Sequence, residues 1–192
     1  MSKPVLGIIG GGQLGSMLAS AAKKINIKTI IFCDDDDAPA QKFSDQFICA
    51  KYDNEQAINQ FANISDIVTF EFENIPYETL EKINKIKSVL PHPSTNKIIQ
   101  NRLLEKDFVN KLNIRTTQYV SINDESEILI NQNFLPGILK TCTLGYDGKG
   151  QYKINSIKDL ENLKIDFKKD YILEKLVKLK KEISVIVTRF KY

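Results

Sequence analysis

Four short stretches hold residue types that could do chemistry together. Gly10, Gly12 and Gly15 are spaced G-x-G-x-x-G, and Asp34 lies nineteen residues beyond the last of them. Glycines at that spacing permit a tight turn and let backbone N–H groups approach an anion at a helix N-terminus. A dinucleotide, another phosphate ester and a purely structural turn are all compatible with these residues; Asp34 to Asp37 are most simply a solvated loop. Thr69-Phe70-Glu71-Phe72-Glu73-Asn74 carries two carboxylates. In extended geometry Glu71 and Glu73 share one face and the phenylalanines the other. Those carboxylates either meet hydroxyl or amino groups of a ligand or simply end a polar strand.

The third stretch is Gly145-Tyr146-Asp147-Gly148-Lys149-Gly150-Gln151, with Lys140 shortly before it. Glycines leave backbone N–H groups bare enough to fold over a phosphate chain, and the lysines add point charge. The spacing matches neither the Walker A nor the kinase loop, and a plain hairpin turn at Asp147-Gly148 is the simpler alternative. The fourth is Glu174-Lys175-Leu176-Val177, followed by Glu182. A carboxylate at a strand end, beside a main-chain donor and acceptor, suits an adenine amino group; a second carboxylate suits a ribose.

The elements that must position these residues follow from periodicity. Val5–Ile9 is a continuous apolar run, as expected of a strand buried on both faces. Leu14, Met17, Leu18, Ala21, Ala22 and Ile25 then recur at helical spacing and predict an apolar helix face. Strands at 29–32, 46–49 and 67–70 alternate with helices at 54–63 and 76–86, which predicts an open, mostly parallel α/β sheet. Ligands of such sheets collect at the carboxyl edge of the strands, where the first two stretches fall. The second half predicts one helix from 96 to 112, with Arg102 and Lys106 on one stripe. Strands near 117–120, 137–141, 152–154, 171–174 and 183–188 follow, with helices from Asp124 and from an N-cap at Ser156. That order describes a small α+β unit carrying a glycine-rich flap.

Composition narrows the function. Of 192 residues, 42% are apolar and 27% charged, the balance of a globular chain with a real core. Residues 1–92 hold nine basic and twelve acidic side chains, net −3; residues 93–192 hold eighteen and twelve, net +6. The shift coincides with Pro91 and Pro93, so the expected domains are 1–92 and 93–192. A net charge of +3 is too mild for a nucleic-acid footprint. No apolar run reaches eighteen residues and no leader is evident after Met1, so the expected compartment is the cytoplasm, away from the membrane. Cys33, Cys49 and Cys142 form no C-x-x-C, which excludes a disulfide scaffold and a structural zinc site; each is expected as a small apolar filler. The single histidine, His92, sits between the two prolines in what reads as a stiff linker, and histidine-based catalysis is not expected.

Taken together, these segments resemble the carboxyaminoimidazole ribonucleotide synthases, ATP-grasp enzymes of de novo purine synthesis. The resemblance rests on Gly10–Met17, Thr69–Asn74, Asn101–Lys106 and Gly145–Gln151, in that order along nearly the whole chain. It implies a Rossmann-like pre-ATP-grasp domain followed by the small central domain of an ATP-grasp fold, incomplete at its C-terminal end. It implies ATP contacts at Arg102, Lys140, Gly145, Tyr146, Asp147, Gly148, Lys149, Gly150, Gln151, Glu174, Lys175, Leu176, Val177 and Glu182. Gly12, Gln13, Leu14 and Glu73 would face aminoimidazole ribonucleotide. The implied reaction joins bicarbonate to that ribonucleotide with ATP and Mg2+, in an enzyme that is typically a homodimer. No metal ligand is expected within these 192 residues, because the family's metal-binding segment would follow Tyr192. A final strand at 183–188 would then present an open edge. The family commonly carries Lys-Thr-Arg-x-Gly-Gly ahead of the flap. Here Cys142-Thr143-Leu144 replaces part of it, with a loss of basic and glycine character. An NAD-dependent oxidoreductase, resting on the glycine turn and Asp34, leaves the 145–151 loop unexplained; a non-catalytic nucleotide-binding remnant is the other alternative.

Overall fold

A computed structural model describes residues 3–145 and 149–189. It divides into two compact units, Met1–Phe108 and Val109–Tyr192.

The first unit is a four-stranded parallel sheet in the order β3-β2-β1-β4, comprising β1 (Val5–Ile9), β2 (Lys28–Cys33), β3 (Gln46–Cys49) and β4 (Ile67–Phe70). Each crossover runs through a helical segment: α1 (Gln13–Lys24), a 3-10 segment at Pro39–Phe43, and α2 (Glu55–Ile64). Side chains alternate across the pleat, so both faces are buried. Ile8, Ile31 and Cys33 pack with Ala19, Ala38 and Ala40 on the α1 side. Ile9, Ile30 and Phe32 pack on the other side with Phe61 of α2 and with Leu80 and Ile83 of α3 (Tyr77–Asn84).

Helix α1 is rotated about its axis from its expected apolar face and shares only Ala22 with it. It buries Gly15, Ala19 and Ala22, while Leu14, Met17, Leu18 and Ile25 are exposed. The reason is close approach: a Cβ on Gly15 would stand 2.8 Å from the Gly10 carbonyl and 3.4 Å from Ala40 Cβ, so only small residues fit that face.

The expected helix at 96–112 is two helices, α4 (Pro93–Ile99) and α5 (Arg102–Lys111). Asn101 restarts the chain, its side-chain oxygen accepting from the N–H groups of Leu103 (2.9 Å) and Leu104 (3.2 Å). His92 caps α4, with Nδ1 accepting from the Ser94 N–H at 3.2 Å. Asn96 and Gln100 bond back to the Ile75 carbonyl, so the segment after the proline pair stays with the first unit.

The second unit is a four-stranded antiparallel sheet in the order β5-β8-β6-β7: β5 (Tyr119–Ile122), β6 (Gly137–Thr141), β7 (Gln151–Ile154) and β8 (Tyr171–Lys175). One face is a core of Ile122, Leu139, Ile154, Tyr171 and Leu173, closed by Ile128 of α6 (Glu125–Ile130). The predicted strand at 183–188 is not formed. Ile183, Val185, Ile186 and Val187 are exposed, and none of these residues enters a ladder. A strand needs a neighbour to take its N–H and C=O groups.

Asp159 closes the Ser156 turn, accepting from the N–H groups of Asn155 (2.7 Å) and Ser156 (3.3 Å). The Asn155 N–H is the main cause that holds its carboxyl below the usual 3.8. A depressed carboxyl contributes stability above its unfolded value and loses it as pH falls through the folded value. A carbon-detected NMR titration is expected to place the Asp159 midpoint below 3.8; a midpoint at or above that value would contradict the capping role.

Candidate functional site

In the first unit β4 ends at Phe70, and Glu71 to Asn74 turn away rather than continuing extended, so Glu71 and Glu73 do not share a strand face. Glu71 keeps one sheet bond, its N–H donating to the Ile9 carbonyl at 3.0 Å. Its side chain lies under the glycine turn. Oε1 accepts from the Gly12 N–H at 2.6 Å, and Oε2 accepts from the Gly15 N–H. Glu73 instead points outward, and only its carbonyl is held, by Gln100 Nε2 at 2.6 Å. Gln13 and Leu14 open α1 and are exposed. Beside the turn is a cleft of about 280 Å3 lined by Gly12, Asp34, Tyr52, Glu71 and Phe72, among others. Burial, then Cys33 and Asp34, push the Tyr52 hydroxyl up from its usual range, so it stays protonated. Of the cysteines, Cys33 and Cys142 are buried as expected, whereas Cys49 is exposed.

The second unit carries the other site. On β6, Leu139 faces the core while Ile138 and Lys140 face the opposite way. Glu174 on β8 is in register with Ile138, which makes Lys140 its diagonal neighbour on the same face. Lys140 Nζ and Glu174 Oε2 stand 2.7 Å apart, with side chains only 21% and 9% exposed. This pair lines a cleft of about 470 Å3 together with Thr116, Thr117, Ile138, Lys175 to Val177 and Leu179. The volume is in the range of small-molecule sites. Lys175 donates its N–H to the Gln118 carbonyl and Leu176 donates to Pro136, which holds the strand end in place. Thr117 Oγ1 donates to the Lys175 carbonyl at 3.1 Å.

Lys140, Glu174, Lys175, Leu176 and Val177, which the resemblance groups, therefore line one cleft. Glu182 is exposed and does not line the cleft, since the strand that would carry it is not formed. Arg102 opens α5 in the first unit. Gly145, Lys149, Gly150 and Gln151 flank the flap, whereas Tyr146, Asp147 and Gly148 lie outside the described residues. Thr116, Thr117 and Ile138 escaped sequence reasoning. The signal for Ile138 was available, since it precedes Lys140 by one strand period; nothing marked the threonines. Among the described residues no group of three or more His, Cys, Asp or Glu side chains could hold a metal ion, and no helix is long and apolar enough to cross a membrane.

Comparison with known proteins gives this geometry a context. Residues 2–100 match the ribonucleotide synthetase preATP-grasp domain. The chain belongs to that family. Residues 107–192 match the ATP-grasp domain. The N5-carboxyaminoimidazole ribonucleotide synthase of Staphylococcus aureus (strain COL) is 37% identical over 187 residues, covering 96% of this chain and 50% of that protein. The bifunctional purine synthesis protein purC/E of Dictyostelium discoideum is 39% identical, over 96% of this chain and 19% of its own length. Among solved structures, the Staphylococcus aureus synthetase complexed with ADP superposes with a TM-score of 0.85 at 34% identity, covering 93% of this chain and 49% of that one. The Aspergillus clavatus synthase in complex with ADP and aminoimidazole ribonucleotide gives 0.80 at 28%, over 93% and 48%. The chain spans about half the length of the synthases it matches.

Two substitutions probe the second site. Glu174→Gln removes the charge facing Lys140 and is expected to cost about 1–3 kcal/mol in a urea melt; an unchanged midpoint would show the pair to be solvated. Leu144 stands at a φ of 57° with its side chain exposed. That left-handed conformation costs a side chain with a Cβ about 1–2 kcal/mol, so Leu144→Gly is expected to raise the midpoint of the same melt.

Proposed function

We propose that this chain serves an ATP-dependent ligase that carboxylates 5-aminoimidazole ribonucleotide with bicarbonate. The products are N5-carboxyaminoimidazole ribonucleotide, ADP and phosphate, a step of de novo purine synthesis. The observation that carries this reading is the Lys140–Glu174 pair lining a ligand-sized cleft within the part of the chain that matches an ATP-grasp domain. Solved relatives complexed with ADP and with the ribonucleotide support it.

In this reading ATP phosphorylates bicarbonate to carboxyphosphate, and the ribonucleotide's amine captures carboxyphosphate or the carbon dioxide it releases. Chemistry of this kind is mostly positioning and charge neutralisation. Lys140 and Lys149 supply charge to the phosphates, and the glycines of the 145–151 stretch suit it to a phosphate chain. Lys140 exchanges its internal partner Glu174 for ligand. The Leu176 N–H and the Lys175 carbonyl already have partners. Reading of adenine therefore falls to the Glu174 carboxylate and the main chain at Leu176 and Val177, and Glu182 takes the ribose once its strand is paired. In the first unit, Gly12, Gln13, Leu14 and Glu73 meet the ribonucleotide. The family implies Mg2+; the described residues offer it no ligand set. The reading takes the cytoplasm as compartment and a homodimer as assembly.

A thermal-shift series on the 192-residue chain tests this, with magnesium-ATP, aminoimidazole ribonucleotide and NADH added separately. A ligand at a hundred times its Kd stabilises the folded state by about 2.7 kcal/mol. ATP is expected to raise the melting temperature of the wild type and not of Lys140→Ala. Stabilisation by NADH alone would overturn the proposal.

A further inference from the structure

The glycine turn of the first unit has the spacing that in dinucleotide-binding folds receives a pyrophosphate. Here the chain fills that position itself. Glu71 bonds the Gly12 and Gly15 N–H groups, the donors at the start of α1 that an incoming phosphate would need. The three spaced glycines also face this one side chain. A Cβ on Gly10 would lie 2.5 Å from Glu71 Cγ, one on Gly12 would lie 2.8 Å from Oε1, and one on Gly15 would lie 3.2 Å from Oε2. At Gly12 the three nearest atoms to such a Cβ all belong to Glu71.

We infer that Glu71 is the resident anion of the glycine turn, a specificity-determining residue that holds the turn in its anion-bound form and closes it to phosphate. The ribonucleotide or any other phosphorylated ligand must then place its phosphate elsewhere, and the turn meets ligand through uncharged groups. The G-x-G-x-x-G spacing is kept here to house a carboxylate of the same chain. This inference stands apart from the proposed reaction, since it concerns only which anion occupies the turn.

Chemical rescue tests it on the 192-residue chain. Glu71→Ala removes the anion and leaves room for acetate, which has the shape of the excised group. Thermal melts are compared in acetate, inorganic phosphate and chloride at equal ionic strength. The wild type shows only the general salting effect of each anion, largest for phosphate, and is the baseline for the comparison. Glu71→Ala is expected to melt lower in chloride and to recover several degrees in acetate or phosphate. An anion response equal to that of the wild type would overturn the inference, because a purely structural residue leaves no anion site behind.

A second arm uses the glycines. Gly12→Ala is expected to lower the wild-type melting temperature by roughly 3–6 °C, and by less than half as much in the Glu71→Ala background. Gly10→Ala should stay costly in both, because Gly10 holds a φ of +100° that a Cβ resists whatever lies beside it. Equal costs of Gly12→Ala in the two backgrounds would count against the inference. Should Glu71→Ala fail to fold in every anion, Glu71→Gln decides: the amide proton resonances of Gly12 and Gly15 must shift upfield on losing a charged acceptor, and unchanged resonances would overturn it.

Discussion

The first turn of a helix leaves backbone N–H groups that need an acceptor, and in the first unit the acceptor is Glu71. Much of that unit is arranged around this contact. The parallel register of β1 and β4 pairs Ile9 with Phe70, which delivers the next residue, Glu71, directly beneath the start of α1. The turn between β1 and α1 must then be bare of side chains on the side facing the carboxylate. With the turn drawn in, α1 can lie close only through Gly15, Ala19 and Ala22, and its larger apolar residues are left facing outward.

The second unit is governed by the two-sidedness of an antiparallel sheet. Leu139, Tyr171 and Leu173 build its core, and the residues that alternate with them, Ile138, Lys140 and Glu174, line the cleft. Register then decides which polar groups meet. The Ile138–Glu174 pairing sets Lys140 diagonally against a carboxylate, in a place where neither charge is well solvated. The pair places a neutralised cation beside a ligand-sized space.

Helical segments in both units begin with side chains that accept their orphan donors. Asn54 caps α2, His92 caps α4, and Asp124 caps α6. In this role His92, the single histidine, is a structural residue.

The sequence by itself determined the four strands of the first unit with α1, α2 and α3, and the positions of β5 to β8 in the second. Each of these follows from local periodicity, from a capping residue, or from the alternation of side chains along a strand. Tertiary structure decided the rest. Which face of α1 is buried depends on how near the sheet lies, and apolar spacing alone pointed to one that shares only Ala22 with it. That Glu71 rather than Glu73 reaches the glycine turn depends on where β4 stops, a property of its pairing with β1. That 183–188 forms no strand, despite an alternating pattern suited to one, depends on a neighbour to hydrogen-bond. A residue's type and period can be read from its own segment. What stands opposite it is set by register and close approach, which belong to two segments at once.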